Sequence, residues 1–140
     1  MPLVLDASVA MRWLADDGSA ADKDYAKRVL KSIVGENDVP YVPSHWTLEI
    51  AHVLSRSEKR GSVTYDEAEH FLNLLSAIKV KTDVETSALA LTSILSLSRN
   101  YSLSSYDAAY LELALRLSAP LATLDKDLRR AAERAGVLLA

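Results

Sequence analysis

The chain has 140 residues, 49% of them hydrophobic, a formal net charge of −3 and no cysteine. That length fits one domain with one well-packed core. The composition excludes a polycationic nucleic-acid binder, disulfides, thiolate metal sites and a cysteine nucleophile, so any contact with RNA or DNA needs a local basic patch.

Leu3, Val4 and Leu5 run into Asp6, and ASVAMRWL follows with apolar residues at helical spacing (Val9, Met11, Trp13, Leu14). This reads as the first strand of a parallel sheet turning into a helix. Residues 15–24 read as a small, acidic loop. Tyr25 to Val34 reads as a helix stopped by Gly35. Val39 to Val42 is a second strand with Pro40 at its start, where a missing N–H is tolerated. Ser44 is the expected cap of a helix closed by Gly61, and Thr64 with Glu67 makes a capping box for the next, whose apolar side is Ala68, Phe71, Leu72 and Leu75. Ile78 to Lys81 reads as a brief strand. Val84 to Ser98, apolar nearly all round, reads as a buried helix, and Arg99 to Leu103 as a loop. Ser104 caps SYDAAYLELALRL, which Pro120 stops. Leu121 to Leu124 is a strand ended by Asp125, KDLRRAAERA a short helix closed by Gly136, and Val137 to Leu139 a last strand. This alternation implies an α/β fold: a three-layer α/β/α sandwich with a central parallel sheet of four to five strands, in a single domain over residues 1–140.

The N-terminal apolar run lacks a basic flank and is cut by Asp6, so it does not read as a signal peptide. The longest uncharged run, Thr86 to Ser98, is too short and serine-rich to span a bilayer. With no cysteine, a cytoplasmic protein is the expectation.

Four acids stand at comparable places. Asp6 follows the first strand and Asp125 the fourth. Glu49 lies in the second turn of the helix after strand two, and Asp107 in the first turn of SYDAAYLELALRL. Ligands of parallel sheets bind beyond the carboxyl ends of the strands, and all four acids can project there. Carboxylates gathered this way repel one another unless a cation neutralises them, and hard divalent ions take oxygen ligands. Singly, Asp6, Asp107 and Asp125 also read as helix-capping residues. Glu49 lies beside an apolar stripe, where an acid needs a partner.

These blocks carry a resemblance. VLDASVAMRWL, VPSHWTLEIAHVL, LSSYDAAYLELALRL and PLATLDKDLRRAAERAGV, in this order, resemble a PIN-domain ribonuclease, and more narrowly a VapC-type toxin of a toxin–antitoxin pair. The resemblance implies metal-dependent endonucleolytic cleavage of RNA. Asp6, Glu49 and Asp107 match the family's core Mg²⁺- or Mn²⁺-binding acids, and Asp125 matches a fourth. Ser8 and Thr123 fall where the family often has small hydroxyl residues lining the site. His52 stands where the family commonly has asparagine, and could supply a comparable hydrogen bond, touch RNA or pack on a helix face; packing or a polar supporting contact is expected of it ahead of metal ligation. Asp127 is expected on the surface, in the first turn of the last helix.

RNA requires positive charge around the acids. Candidates are Arg12, Arg56, Lys59, Arg60, Lys126, Arg129 and Arg130, each of which also reads as part of a solvated helix face. The resemblance further implies a cognate antitoxin whose tail occupies the active groove, and a homodimer. The helices of residues 22–34 and 64–76 are candidate partner surfaces.

A haloacid-dehalogenase-type phosphatase would need an acid at position 8, and a response-regulator receiver an acid pair near the first strand. This chain has neither. The alternative from another class is a PIN-like module that binds RNA or a partner without cleaving.

Overall fold

The structure, a computed structural model, describes residues 1–14 and 18–140. Ala15 to Asp17, the start of the expected loop, lie outside the described residues.

Strand β1 (Pro2–Leu5) leads through Asp6 into α1 (Ala7–Ala10) and a 3-10 turn (Met11–Trp13). Helix α2 (Ala20–Gly35) starts five residues before the expected Tyr25. The Ser19 side chain accepts a bond from the Asp22 N–H, and so caps the helix ahead of its apolar stripe. Strand β2 (Val39–Val42) precedes α3 (Trp46–Lys59), and α4 (Tyr65–Ile78) ends in Lys79 in the left-handed conformation. Strand β3 is only Lys81–Thr82, because α4 claims Ile78.

Next comes one bent helical stretch. It consists of α5 (Thr86–Leu89), a π-helical turn (Ala90–Ile94) and α6 (Leu95–Tyr101), and it runs three residues past Ser98. It is not buried all round: Leu91 is 83% exposed, and Thr86 and Ile94 face inward. The surrounded helix is α7 (Ser105–Leu117), buried continuously from Ala108 to Ala114. β4 (Leu121–Ala122) and α8 (Lys126–Ala135) complete the fold. In place of the expected last strand there is a single parallel bridge between Leu121 and Leu139.

The sheet is all parallel, in the order β3-β2-β1-β4, with helices packed around it. Chain direction out of β1 therefore reverses: β2 and β3 lie to one side, β4 to the other. The crevice at such a reversal is where doubly wound sheets place their ligands. Pro40 occupies the second position of an inner strand. In this register Val39 donates to Met1 of the β1 side, so Pro40 faces the β3 side. β3 begins only opposite Tyr41, so no ladder bond is lost there.

The capping box at α4 is complete. The Glu67 N–H donates to Thr64 Oγ1 at 3.1 Å, and the Thr64 N–H to Glu67 Oε1 at 3.0 Å. Thr64→Ala should cost about 1 kcal/mol, read as a shift of the urea midpoint. A midpoint within error of the parent would contradict this.

Candidate active site

At the β1–β4 crevice, Asp6 is 4% exposed. It stands at the N-cap of α1, but its side chain makes no capping bond. Its Oδ2 instead accepts from Ser8 Oγ at 2.7 Å and from Thr123 Oγ1 at 2.6 Å. Each hydroxyl is oriented in turn by the backbone beyond β4: Ser8 Oγ accepts from the Leu124 N–H, and Thr123 Oγ1 from the Asp125 N–H. Both hydroxyl positions named by the sequence thus meet the first acid.

Glu49 lies in the first turn of α3, because the helix opens at Trp46 with His45 before it. Ser44 does not cap this helix; its N–H donates to Thr86 Oγ1 at 3.0 Å. Glu49 Oε1 accepts from Tyr110 Oη at 2.9 Å, across 61 residues of sequence. His45 Nε2 stands 2.9 Å from the same oxygen, out of line for a hydrogen bond. The His45 ring meets those of Tyr106 and Tyr110 edge-on, each at 5.4 Å. Asp107 opens α7, where Ser104 Oγ accepts its N–H at 3.1 Å. Asp125 does cap α8, its Oδ1 accepting the Leu128 N–H at 2.8 Å.

The electrostatics tie the four acids together. Burial and then the charges of Asp125 and Asp6, with Glu49 adding to them, push the Asp107 carboxyl from 3.8 to about 6. Burial raises Asp6 as well, against the bonds from Thr123 and Ser8 and with the Glu49 charge adding to the rise. Burial, with Asp6 and Glu49 nearby, also pushes the Tyr110 phenol up, so it stays a donor.

Four hard oxygen donors in one field match Mg²⁺ or Mn²⁺ in donor chemistry. Among the described residues, no three acids or histidines stand at the spacing that would hold an ion.

His52 neither packs in the core nor supports an acid. It is exposed on α3 and makes no side-chain hydrogen bond among the described residues. The histidine that reaches Glu49 is His45, one helical turn before it. Sequence reasoning passed over both His45 and Tyr110. The available signals were the i−4 spacing of His45 to Glu49 and the i+3 spacing of Tyr110 to Asp107.

Among the cations, Arg129 touches the first acid's support. Its Nη1 donates to the Thr123 carbonyl at 2.8 Å, and its guanidinium lies 5.1 Å from the Tyr25 ring centre. Lys126 and Arg130 are exposed on α8, and Asp127, also exposed, stands 3.7 Å from Arg130. Arg56, Lys59 and Arg60 follow Glu49 by roughly 10–17 Å along the axis of α3, at 1.5 Å per residue. Arg12, in the 3-10 turn, lies against Gly18, where an added Cβ would stand 3.2 Å from Nη1.

A hollow of about 620 Å³ lies between α3 and α4. Trp46, Ile50, Leu54, Leu72 and Leu75 line it, and none of the four acids does. No helix among the described residues is long and apolar enough to cross a membrane.

Fold and site define an α/β protein with an acidic centre at the carboxyl edge of a parallel sheet. The chain belongs to the PIN domain family, which its sequence matches over residues 3–134. Among solved structures it is similar in fold to PAE2754 from Pyrobaculum aerophilum, with a TM-score of 0.66 and 21% identity, covering 94% of this chain and 79% of that one. VapBC2 from Rickettsia felis bound to a DNA fragment from their promoter is similar at a TM-score of 0.64 and 14% identity, covering 100% and 98%. FitAcB from Neisseria gonorrhoeae is similar at 0.61 and 17%, covering 98% and 95%. No curated protein matches the sequence.

Proposed function

We propose that this protein is a metal-dependent endoribonuclease and the toxin of a toxin–antitoxin pair. The observation that carries the reading is the shared field of Asp6, Glu49, Asp107 and Asp125, felt most plainly at Asp107. Membership of the PIN domain family supports a nuclease, and the likeness in fold to VapBC2 and FitAcB supports the toxin class.

In this reading the four acids hold Mg²⁺ or Mn²⁺. When bound, the ion supplies water activation and neutralises charge on the phosphodiester. Ser8 and Thr123 hold Asp6 in place by donating to it, so neither hydroxyl serves as a nucleophile. Arg129 and Lys126, at the start of α8, are the cations closest in sequence to the crevice and would meet phosphates of the strand. The apolar hollow between α3 and α4 offers an antitoxin a surface on α4, one of the two helices expected to meet partners.

The test is incubation of the purified, antitoxin-free protein with total cellular RNA in Mn²⁺, in Mg²⁺ and in EDTA. Discrete fragments that require metal and vanish in Glu49→Gln are expected. Equal cleavage in EDTA would overturn the metal-dependent reading. The open spacing of the acids favours one second reading, a module that binds without cleaving. Retarded but intact RNA in every lane would select it.

A further inference from the structure

The acid on α3 and the acid on α7 are joined by one phenol. Tyr110 is fully buried, and it lies one helical turn after Asp107 on α7. Its hydroxyl reaches Glu49 Oε1 at 2.9 Å, and His45 Nε2 approaches that same oxygen at 2.9 Å. The other oxygen, Oε2, makes no hydrogen bond among the described residues. One side of the carboxylate is therefore occupied by protein, and the other is left open. The His45 ring, wedged edge-on against Tyr106 and Tyr110 at 5.4 Å each, limits how far either partner turns.

We propose that Tyr110 is a positioning residue that orients Glu49 toward a divalent cation, so that α7 fixes two acids at once, Asp107 through its backbone and Glu49 through the phenol. The proposal rests on the metal-site reading above. Partners that orient a ligating carboxylate typically change metal affinity 10- to 100-fold when removed. The hydroxyl is deleted with little loss of packing by Tyr110→Phe.

The test is Mn²⁺ titration of wild type, Tyr110→Phe and Glu49→Gln, followed calorimetrically and by the Mn²⁺ paramagnetic signal, with circular dichroism to verify the fold. The expected result is binding by wild type and about 10- to 100-fold weaker binding by a folded Tyr110→Phe. Cleavage by that variant should recover as Mn²⁺ is raised to saturation, which a general loosening of the core would not give. Tyr110→Phe binding Mn²⁺ as tightly as wild type would overturn the positioning role and leave the metal site standing. No Mn²⁺ bound by wild type would overturn the metal site itself. Should the variant fail to fold, wild type labelled with ¹³C at the tyrosine Cζ decides. A Tyr110 resonance that moves with the midpoint of Mg²⁺ binding supports the role, and one that stays fixed through saturation refutes it.

Discussion

Asparagine in place of Asp107 should make the metal-free protein more stable at pH 7.5 while removing the RNA cleavage proposed for it. The carboxyl is raised from 3.8 to about 6 by burial and by its acidic neighbours. Between those values the folded chain keeps a proton that the unfolded chain has released. Stability is therefore fullest below about pH 4, falls as pH climbs toward 6, and stays reduced above that. Converted in full the shift amounts to about 3 kcal/mol. Partial exposure and screening reduce it to about 1–2 kcal/mol. Asp107→Asn removes this penalty, so its melting temperature at pH 7.5 should rise by roughly 3–7 °C. Its stability between pH 4 and 7 should also be flatter. Activity should fall about 100-fold or more, the scale of losing one electrostatic group from a reaction centre. Mn²⁺ should raise the melting temperature of the parent more than that of the variant, because binding to the native state alone stabilises it. A variant that melts below the parent at pH 7.5 would sink the account.

Arg116→Ala should destabilise the fold measurably. On α7, the Arg116 guanidinium grips Glu112 through Nε at 2.8 Å and Nη2 at 3.0 Å. It grips Asp83 through Nη2 at 2.7 Å and Nη1 at 3.1 Å, and Nη1 also reaches Glu85 at 3.0 Å. Burial alone would raise Asp83, but the bonds and charge of Arg116 hold it below its usual value. The same bonds push Arg116 up. Asp83 Oδ2 in turn accepts from Thr86, which accepts the Ser44 N–H before α3. Without the arginine, Glu112 and Asp83 are left as nearby, poorly solvated negative charges. Hydrogen bonds from a partly exposed arginine to charged groups make the expected loss about 1–3 kcal/mol, measured by urea unfolding. Lysine cannot fork across two carboxylates, so Arg116→Lys should fall between. Adding Glu112→Gln to Arg116→Ala should restore part of the loss. If Arg116→Ala costs under 1 kcal/mol, the network is only a surface cluster.

What the sequence made legible follows from locality. Asp6 and Asp125 announce themselves because an apolar strand ends at each and a helix begins. Asp107 does so through its cap, Ser104. The order of elements needs only hydrophobic periodicity and stop residues. The errors lie where neighbours in space decide. The early start of α2 is the exception, a local cap of Ser19 on the Asp22 N–H that was readable in the sequence. The surrounded helix is α7 rather than the serine-rich stretch before it, since burial depends on what packs against a helix as well as on its composition. His52 drew notice by its family position, yet His45 holds the contact, and Tyr110 reaches Glu49 from 61 residues away. No periodicity reports such a bond.

Pro40 has a bearing on self-association. A sheet grows sideways when an exposed strand edge offers donors and acceptors to a newcomer. On the β3 side, β2 lacks a donor at Pro40, and β3 pairs only with the two residues beyond, while Pro40 itself is buried. A foreign strand would find neither a donor nor access there. That stretch of β2 is thus a poor template for amyloid-like stacking or domain exchange.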